Sequence, residues 1–216
     1  MVKLKIFTFN PFAENTYIVW DDTSNEAVIV DPGCSYEEEN HQVKNFISTN
    51  NISLKYLINT HCHLDHIFGC RFIKNRYNPI YYIPELDLPL LQNAAKQAEI
   101  FGINFDKTPE PDNFITEQIP LSIGLTKISF LFTPGHTPGE YCIYFPSEEI
   151  CLTGDVLFKG NIGRTDLWGG DYKILIKSIK QKIFTLPDDT KIYPGHGDKS
   201  SLFIEKKENP YLQHIN

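Results

Sequence analysis

Apolar positions along this chain switch between two spacings. Short runs rich in β-branched and aromatic residues occupy Leu4 to Phe9, Thr16 to Trp20 and Ala27 to Val30, divided by Asn10-Pro11 and by the polar stretch Asp21 to Asn25. Runs of this kind bounded by turn residues predict strands. After the turn Asp31-Pro32-Gly33 the spacing changes. Ser35 and Glu38 stand at capping-box distance, and Val43, Phe46 and Ile47 give one apolar face to a helix ending near Asn50-Asn51. A strand over Leu54 to Asn59 follows, then a helix marked by Cys70, Ile73 and Tyr77 and a short strand over Ile80 to Ile83. Asp87 is placed to cap a further helix, with Pro89 in its first turn and Leu91, Ala94, Ala95 and Ala98 along it. Residues 102–116, which carry Gly102, Pro109 and Pro111, read as a loop.

Strands resume at Lys127 to Phe132, Glu140 to Phe145 and Glu149 to Leu152. Tyr172, Leu175, Ile176, Ile179 and Ile183 keep a helical period. Thr190 to Tyr193 is a last strand and Ser201 to about Asn209 a last helix. Strands in runs of two or three, interleaved with helices, suit two sheets with helices outside rather than one alternating parallel sheet. No repeat, low-complexity segment or linker interrupts the pattern, so one domain over residues 1–216 is the expectation.

Composition narrows the class. The hydrophobic share of 41% and charged share of 22% are ordinary for a globular chain. A net charge of −7 argues against a nucleic-acid or anionic-membrane partner. No apolar run approaches the ~20 residues of a membrane span, and the N-terminal stretch Met1 to Phe7 does not read as a signal peptide. Five irregularly spaced cysteines, without a C-x-x-C, fit free thiols in a reducing compartment and a cytoplasmic protein.

The chemistry concentrates in His61-Cys62-His63-Leu64-Asp65-His66, where three imidazoles and a carboxylate fall together. These ligand types suit zinc, iron or manganese. If the preceding strand continues this far, His61 and His63 project to one side and Cys62 packs on the other. Asp65 and His66 then lie at the turn into the next helix. The segment so offers two ligand pairs facing different directions, a geometry for two metals or for one metal with accessory groups. His136 in Pro134-Gly135-His136-Thr137-Pro138-Gly139, Asp155 in Thr153-Gly154-Asp155 and His196 in Pro194-Gly195-His196-Gly197 each follow an apolar strand on a Gly- or Pro-rich loop. His41 and His214 read as solvated surface residues. Imidazoles gathered without a metal would repel one another on protonation.

H-x-H-x-D-H followed in order by Gly-His, Gly-Asp and Gly-His resembles the metallo-β-lactamase superfamily of hydrolases over nearly the whole chain. The resemblance implies an α/β fold, a four-layer αββα sandwich of two mixed sheets flanked by helices, with metals at one edge of the sheets. It implies two divalent metal ions, zinc first, with iron or manganese as alternatives. His61, His63 and His136 would hold one ion, Asp65, His66 and His196 the other, and Asp155 would bridge both. Asp65 also carries a proton-shuttle assignment. Gly154-Asp155-Val156-Leu157-Phe158 with Gly163-Arg164-Thr165-Asp166-Leu167 is similar to the glyoxalase II branch, the hydroxyacylglutathione hydrolases. With the chain ending about twenty residues past His196, the short single-domain members are the closer match.

The implied partner is a small-molecule thioester, the implied reaction its hydrolysis with hydroxide as the attacking group. Bound metal supplies hydroxide at neutral pH by lowering the pKa of water from 15.7 to about 7. Arg164 either meets an anionic part of the substrate or pairs with Asp166 to brace the loop. The competing readings are a mononuclear-iron persulfide dioxygenase of the same superfamily and a hydrolase of another ester or lactam. Oligomeric state is left open.

Overall fold

Strand pairing in the computed structural model, which describes residues 2–103, 105 and 107–213, resolves two six-stranded mixed sheets and a small hairpin. His214 lies outside the described residues. Contacts group the chain into two compact units, Met1–Ile115 with Ser122–Thr126, and Thr116–Leu121 with Lys127–Asn216. Among the described residues no helix is long and apolar enough to cross a membrane.

The first unit runs β1 (Val2–Phe9), β2 (Glu14–Asp21), β3 (Glu26–Val30), α1 (Glu37–Thr49), β4 (Ser53–Ile58), α2 (Leu64–Ile67), α3 (Cys70–Tyr77), β5 (Ile80–Ile83), α4 (Leu88–Ile100) and β6 (Asn113–Phe114). The sheet follows chain order, antiparallel from β1 to β3 and parallel from β3 to β6. Each parallel step carries its crossover helix as parallel pairing requires. Ile29, Val43, Ile47, Leu57, Ile67, Ile73, Ile83 and Ala94 belong to one buried cluster. Fully burying such an Ile or Leu is worth roughly 1.5–3 kcal/mol.

This topology gathers polar residues at one sheet edge. β3 and β4 are parallel, so Asp31 and the Asn59–His66 segment leave from neighbouring C-terminal ends. β2 is antiparallel to β3 with Tyr17 opposite Val30, which puts the start of β2, at Glu14, on the same edge.

The second unit runs β7 (Leu121–Ile123), β8 (Thr126–Phe132), β9 (Tyr141–Phe145), β10 (Ile150–Gly154), β11 (Leu157–Phe158), β12 (Asn161–Ile162), α5 (Tyr172–Ser178), β13 (Lys191–Pro194), β14 (Ser200–Ser201) and α6 (Leu202–Glu208). The loop at the end of β7 and start of β8 counts with the first unit. The sheet order is β14-β13-β10-β9-β8-β7. β10 and β13 are parallel and β9 is antiparallel to β10, so the exits of β10 and β13 and the entry to β9 share an edge. Leu175, Ile179, Ile183, Ile192 and Leu202 pack in its core.

Four expectations are corrected. β4 stops at Ile58, so His61 and His63 stand on a loop and not on a strand, and His63 is the N-cap of α2. The strand yields there because Asp31 takes over the backbone: Thr60 N donates to Asp31 Oδ1 at 2.8 Å. The helix-start box is offset by one residue. α1 begins at Glu37, so Glu39, not Glu38, reaches back to accept from Tyr36 N at 3.2 Å and Ser35 N at 2.6 Å. Asp87 precedes α4, but its carboxylate does not cap that helix; it turns inward and accepts from Cys62 N at 3.2 Å. The period from Tyr172 holds through Leu175, Ile179 and Ile183, yet the backbone widens to a π turn over Ile179–Ile183 and Tyr172 faces solvent.

Candidate metal centre

The first unit brings His61, His63, Asp65 and His66 together. The His61 ring lies 4.9 Å from that of His63 and 4.1 Å from that of His66, centroid to centroid. Asp65 Oδ2 stands 3.7 Å from His66 Nε2. His61 and His66 are fully buried. Cys62 is also fully buried, in the apolar cluster, and burial pushes its thiol well up. Its packing assignment is what the structure shows.

Behind the histidines stands a shell of polar groups. Asp31 is buried, with φ 47°. Its Oδ1 accepts from Thr60 N at 2.8 Å and from Asn59 Nδ2 at 3.3 Å; its Oδ2 accepts from Thr60 Oγ1 at 2.6 Å and faces His66 Nδ1 at 3.2 Å. Thr60 Oγ1 also lies 3.1 Å from His61 Nδ1. Asn59 Nδ2 donates to the His66 carbonyl at 2.8 Å, and Asn10 Nδ2 to the Asp65 carbonyl at 3.1 Å. Asp31, His61 and His66 each offer one atom within 4.8 Å of the others. Asp31 is engaged by three donors, so its place is behind His66, orienting it. Glu14 lies 4.0 Å from His66 Nδ1, and burial raises its carboxyl well above the usual range against the pull of His66.

The second unit brings His136, Asp155 and His196 together. Asp155 Oδ2 lies 3.5 Å from His136 Nε2 and 3.7 Å from His196 Nε2. One carboxylate oxygen therefore serves two imidazoles carried by different strand ends. Gly195 N donates to the Gly154 carbonyl at 2.7 Å, tying those ends together. The buried Glu140 accepts from Asp155 N at 2.7 Å. His136 Nδ1 faces the Arg164 carbonyl at 2.8 Å; a carbonyl only accepts, so Nδ1 carries the proton and Nε2 keeps its lone pair.

Arg164 pairs with Asp166 through two 2.8 Å bonds, Nε to Oδ1 and Nη2 to Oδ2. Those bonds hold the Asp166 carboxyl down to about 2. The loop-bracing alternative is thus present. His41 is a surface residue 3.7 Å from Glu37.

Asp31, Asn59, Glu140 and Asp87 were not singled out as site residues. Their signal is a polar residue beside a strand end that packing leaves no room to solvate. Gly163, the first residue of the Gly163 to Leu167 motif, is a tight backbone contact. A Cβ there would overlap the Asp155 carbonyl oxygen and crowd the His136 side chain. Gly163→Ala is expected to cost roughly 1–3 kcal/mol, as other overpacking substitutions do, seen as a lower urea midpoint with an unchanged m-value.

The donor set fits divalent metal on its chemistry. In His61, His66 and His136 Nδ1 faces an oxygen partner, so Nε2 is the atom that would coordinate a bound ion.

The family model described as the metallo-beta-lactamase superfamily matches residues 9–196, a span that holds all seven positions. A relative from Haemophilus influenzae, named hydroxyacylglutathione hydrolase GloC, is 34% identical over 213 residues, 98% of each chain. The crystal structure of BLEG-1, titled a B3 metallo-beta-lactamase, superposes with TM-score 0.89 at 30% identity, covering 98% of this chain and 100% of that one. The structure of TTHA1623, titled as a di-iron-bound form, superposes with TM-score 0.85 at 33% identity, covering 96% and 100%.

Proposed function

This chain belongs to the metallo-β-lactamase superfamily, and from that premise we propose that it hydrolyses thioesters, with hydroxyacylglutathiones as the leading class. The observation that carries the proposal is Asp155 Oδ2 set between His136 Nε2 and His196 Nε2, the position of a carboxylate shared by two ions. We assign His61, His63 and His136 to one ion and Asp65, His66 and His196 to the other, with Asp155 common to both. A single family match spanning both compact units supports treating residues 1–216 as one catalytic domain.

Two bound divalent ions supply acidified water and Lewis-acid stabilisation of the developing oxyanion. The rest is done by side chains. Asp31, Thr60 and the Arg164 carbonyl face Nδ1 of His66, His61 and His136 and hold those imidazoles in one tautomer and orientation. We assign the water proton to the Asp65 carboxylate. The oxygen of water joins the acyl carbon, the C–S bond breaks, and the products are a carboxylate and a thiol. The leaving thiolate needs no acid, since thiol pKa values are near 8.5. Arg164 stays assigned to an anionic part of the substrate: its pair with Asp166 uses Nε and Nη2, which leaves the Nη1 N–H groups for a carboxylate.

The test is hydrolysis of S-lactoylglutathione, followed at the thioester absorbance, before and after a strong chelator. Rate is expected to vanish on chelation and return with added zinc. Chelator-insensitive turnover would remove the proposal. The di-iron title of TTHA1623 favours iron as the alternative metal. Metal analysis, with oxygen uptake on glutathione persulfide and turnover of a β-lactam, separates the dioxygenase and lactamase readings.

A further inference from the structure

The loop from Arg164 to Asp171 is closed at both ends on the His136 loop. At its start the Arg164 carbonyl accepts from His136 Nδ1 at 2.8 Å. At its end Asp171 N donates to the Gly135 carbonyl at 2.8 Å. Between these anchors the chain is braced. Arg164 donates its two hydrogen bonds to Asp166, Gly170 N donates to the Leu167 carbonyl at 3.0 Å, and Gly169 packs so closely on Pro138 that a side chain there would collide with the proline ring. A rigid loop of this kind has no need of large apolar residues at its tip. Yet Leu167 and Trp168 stand there, 41% and 58% exposed, with Tyr172 51% exposed just beyond the second anchor. Trp168 lies three residues from Asp171, and a residue spans at most ~3.6 Å. Its Cα is therefore within about 11 Å of that anchor and of the neighbouring metal-ligand loop. Exposed apolar side chains on a braced loop beside ligand-bearing residues are candidates for contact with a bound substrate.

We propose that Trp168, supported by Leu167, is a specificity-determining residue that receives an alkyl or aryl group of the thioester substrate. The inference rests on the thioester reading above and deepens it. Its chemistry is an apolar group, carried on either the acyl or the thiol side. Trp offers a large flat face at little entropic cost. Two braced anchors mean that little ordering is needed on binding.

The test compares wild type, Trp168→Ala and Trp168→Phe, each loaded with metal. Substrates are S-lactoylglutathione, S-hexanoylglutathione and a lactoyl thioester of hexanethiol, so that acyl and thiol sides vary independently. Trp168→Ala is expected to raise KM about tenfold or more for whichever hexyl-bearing substrate the loop receives. It should leave kcat for that substrate, and both constants for S-lactoylglutathione, within about twofold, and Trp168→Phe should restore most of the loss. A second readout needs no turnover: the thioether S-hexylglutathione should change the tryptophan fluorescence of wild type, and not of Trp168→Phe, whose remaining tryptophan is Trp20. Equal losses on all three substrates would overturn the inference, as would no loss on any. So would a change of oligomeric state in Trp168→Ala by sedimentation, which would make the surface a contact between copies. If wild type binds S-hexylglutathione through Trp168 but cleaves no thioester, the thioester reading fails and the apolar subsite stands. If thioesters are cleaved and Trp168→Ala is neutral, the inference alone fails.

Discussion

Replacing Asp155 by alanine is expected to lower kcat/KM for S-lactoylglutathione by ~10³-fold or more, with the fold kept. The magnitude follows from a Lewis-acid contribution of several kcal/mol, at 1.36 kcal/mol for each factor of ten. The fold should survive because what anchors this position is backbone: Asp155 N donates to Glu140, and Gly195 N to the Gly154 carbonyl. Neither bond involves the carboxylate that is removed. Asp155→Asn keeps an oxygen between His136 and His196 but loses the charge, so it should fall between alanine and wild type. The measurements are steady-state kinetics, metal content by atomic emission and far-UV circular dichroism on the same preparations. Loss of metal with an unchanged spectrum is the expected pairing. His61→Ala should behave alike from the first unit. If both variants kept wild-type rates, the ligand assignment would be wrong even with the hydrolysis real.

The parts of the fold legible in sequence were those with room for a period. β1 to β5, α1, α3 and α4 show it over several residues, and their bounds agree with the reading to within a few residues. β7, β11, β12 and β14 span two or three residues each and carry no alternation that a pattern could register. The six-residue histidine stretch was found by density of ligand types alone. Its supposed strand was wrong for a reason that no local pattern contains. Asp31, just past β3, replaces the next strand partner by accepting from Thr60 N, and sequence spacing does not reveal a contact 29 residues apart. The same holds for Glu140 under Asp155 and Asp87 under Cys62. Ligands announce themselves by residue type. The groups that aim them are ordinary carboxylates and amides until burial shows that they must be satisfied.

Asp31 gives the sharpest test of that outer layer. Asp31→Asn is expected to weaken metal binding and kcat/KM by ~10–100-fold, the usual effect of losing a group that orients a ligand. The amide can still accept at one oxygen, but it places N–H groups against one of the donors Thr60 N, Thr60 Oγ1 or His66 Nδ1. That disfavours the tautomer in which His66 presents Nε2. The backbone is spared, because asparagine tolerates the left-handed conformation found here at φ 47°. Alanine removes both effects at once. It leaves buried donors without an acceptor, at roughly 1–3 kcal/mol each, and loses the short polar side chain that lets aspartate and asparagine adopt the left-handed conformation more readily than alanine. Asp31→Ala should therefore be markedly less stable than Asp31→Asn in metal-free urea unfolding, while the two resemble each other in lost activity. Measuring the metal-free proteins matters, since bound metal would add its own stabilisation to whichever variant holds it better. Wild-type metal affinity in Asp31→Asn would show that His66 needs no orienting partner and that Asp31 serves only the fold. A loss of affinity with metal-free stability nearly intact would place its role at the histidine.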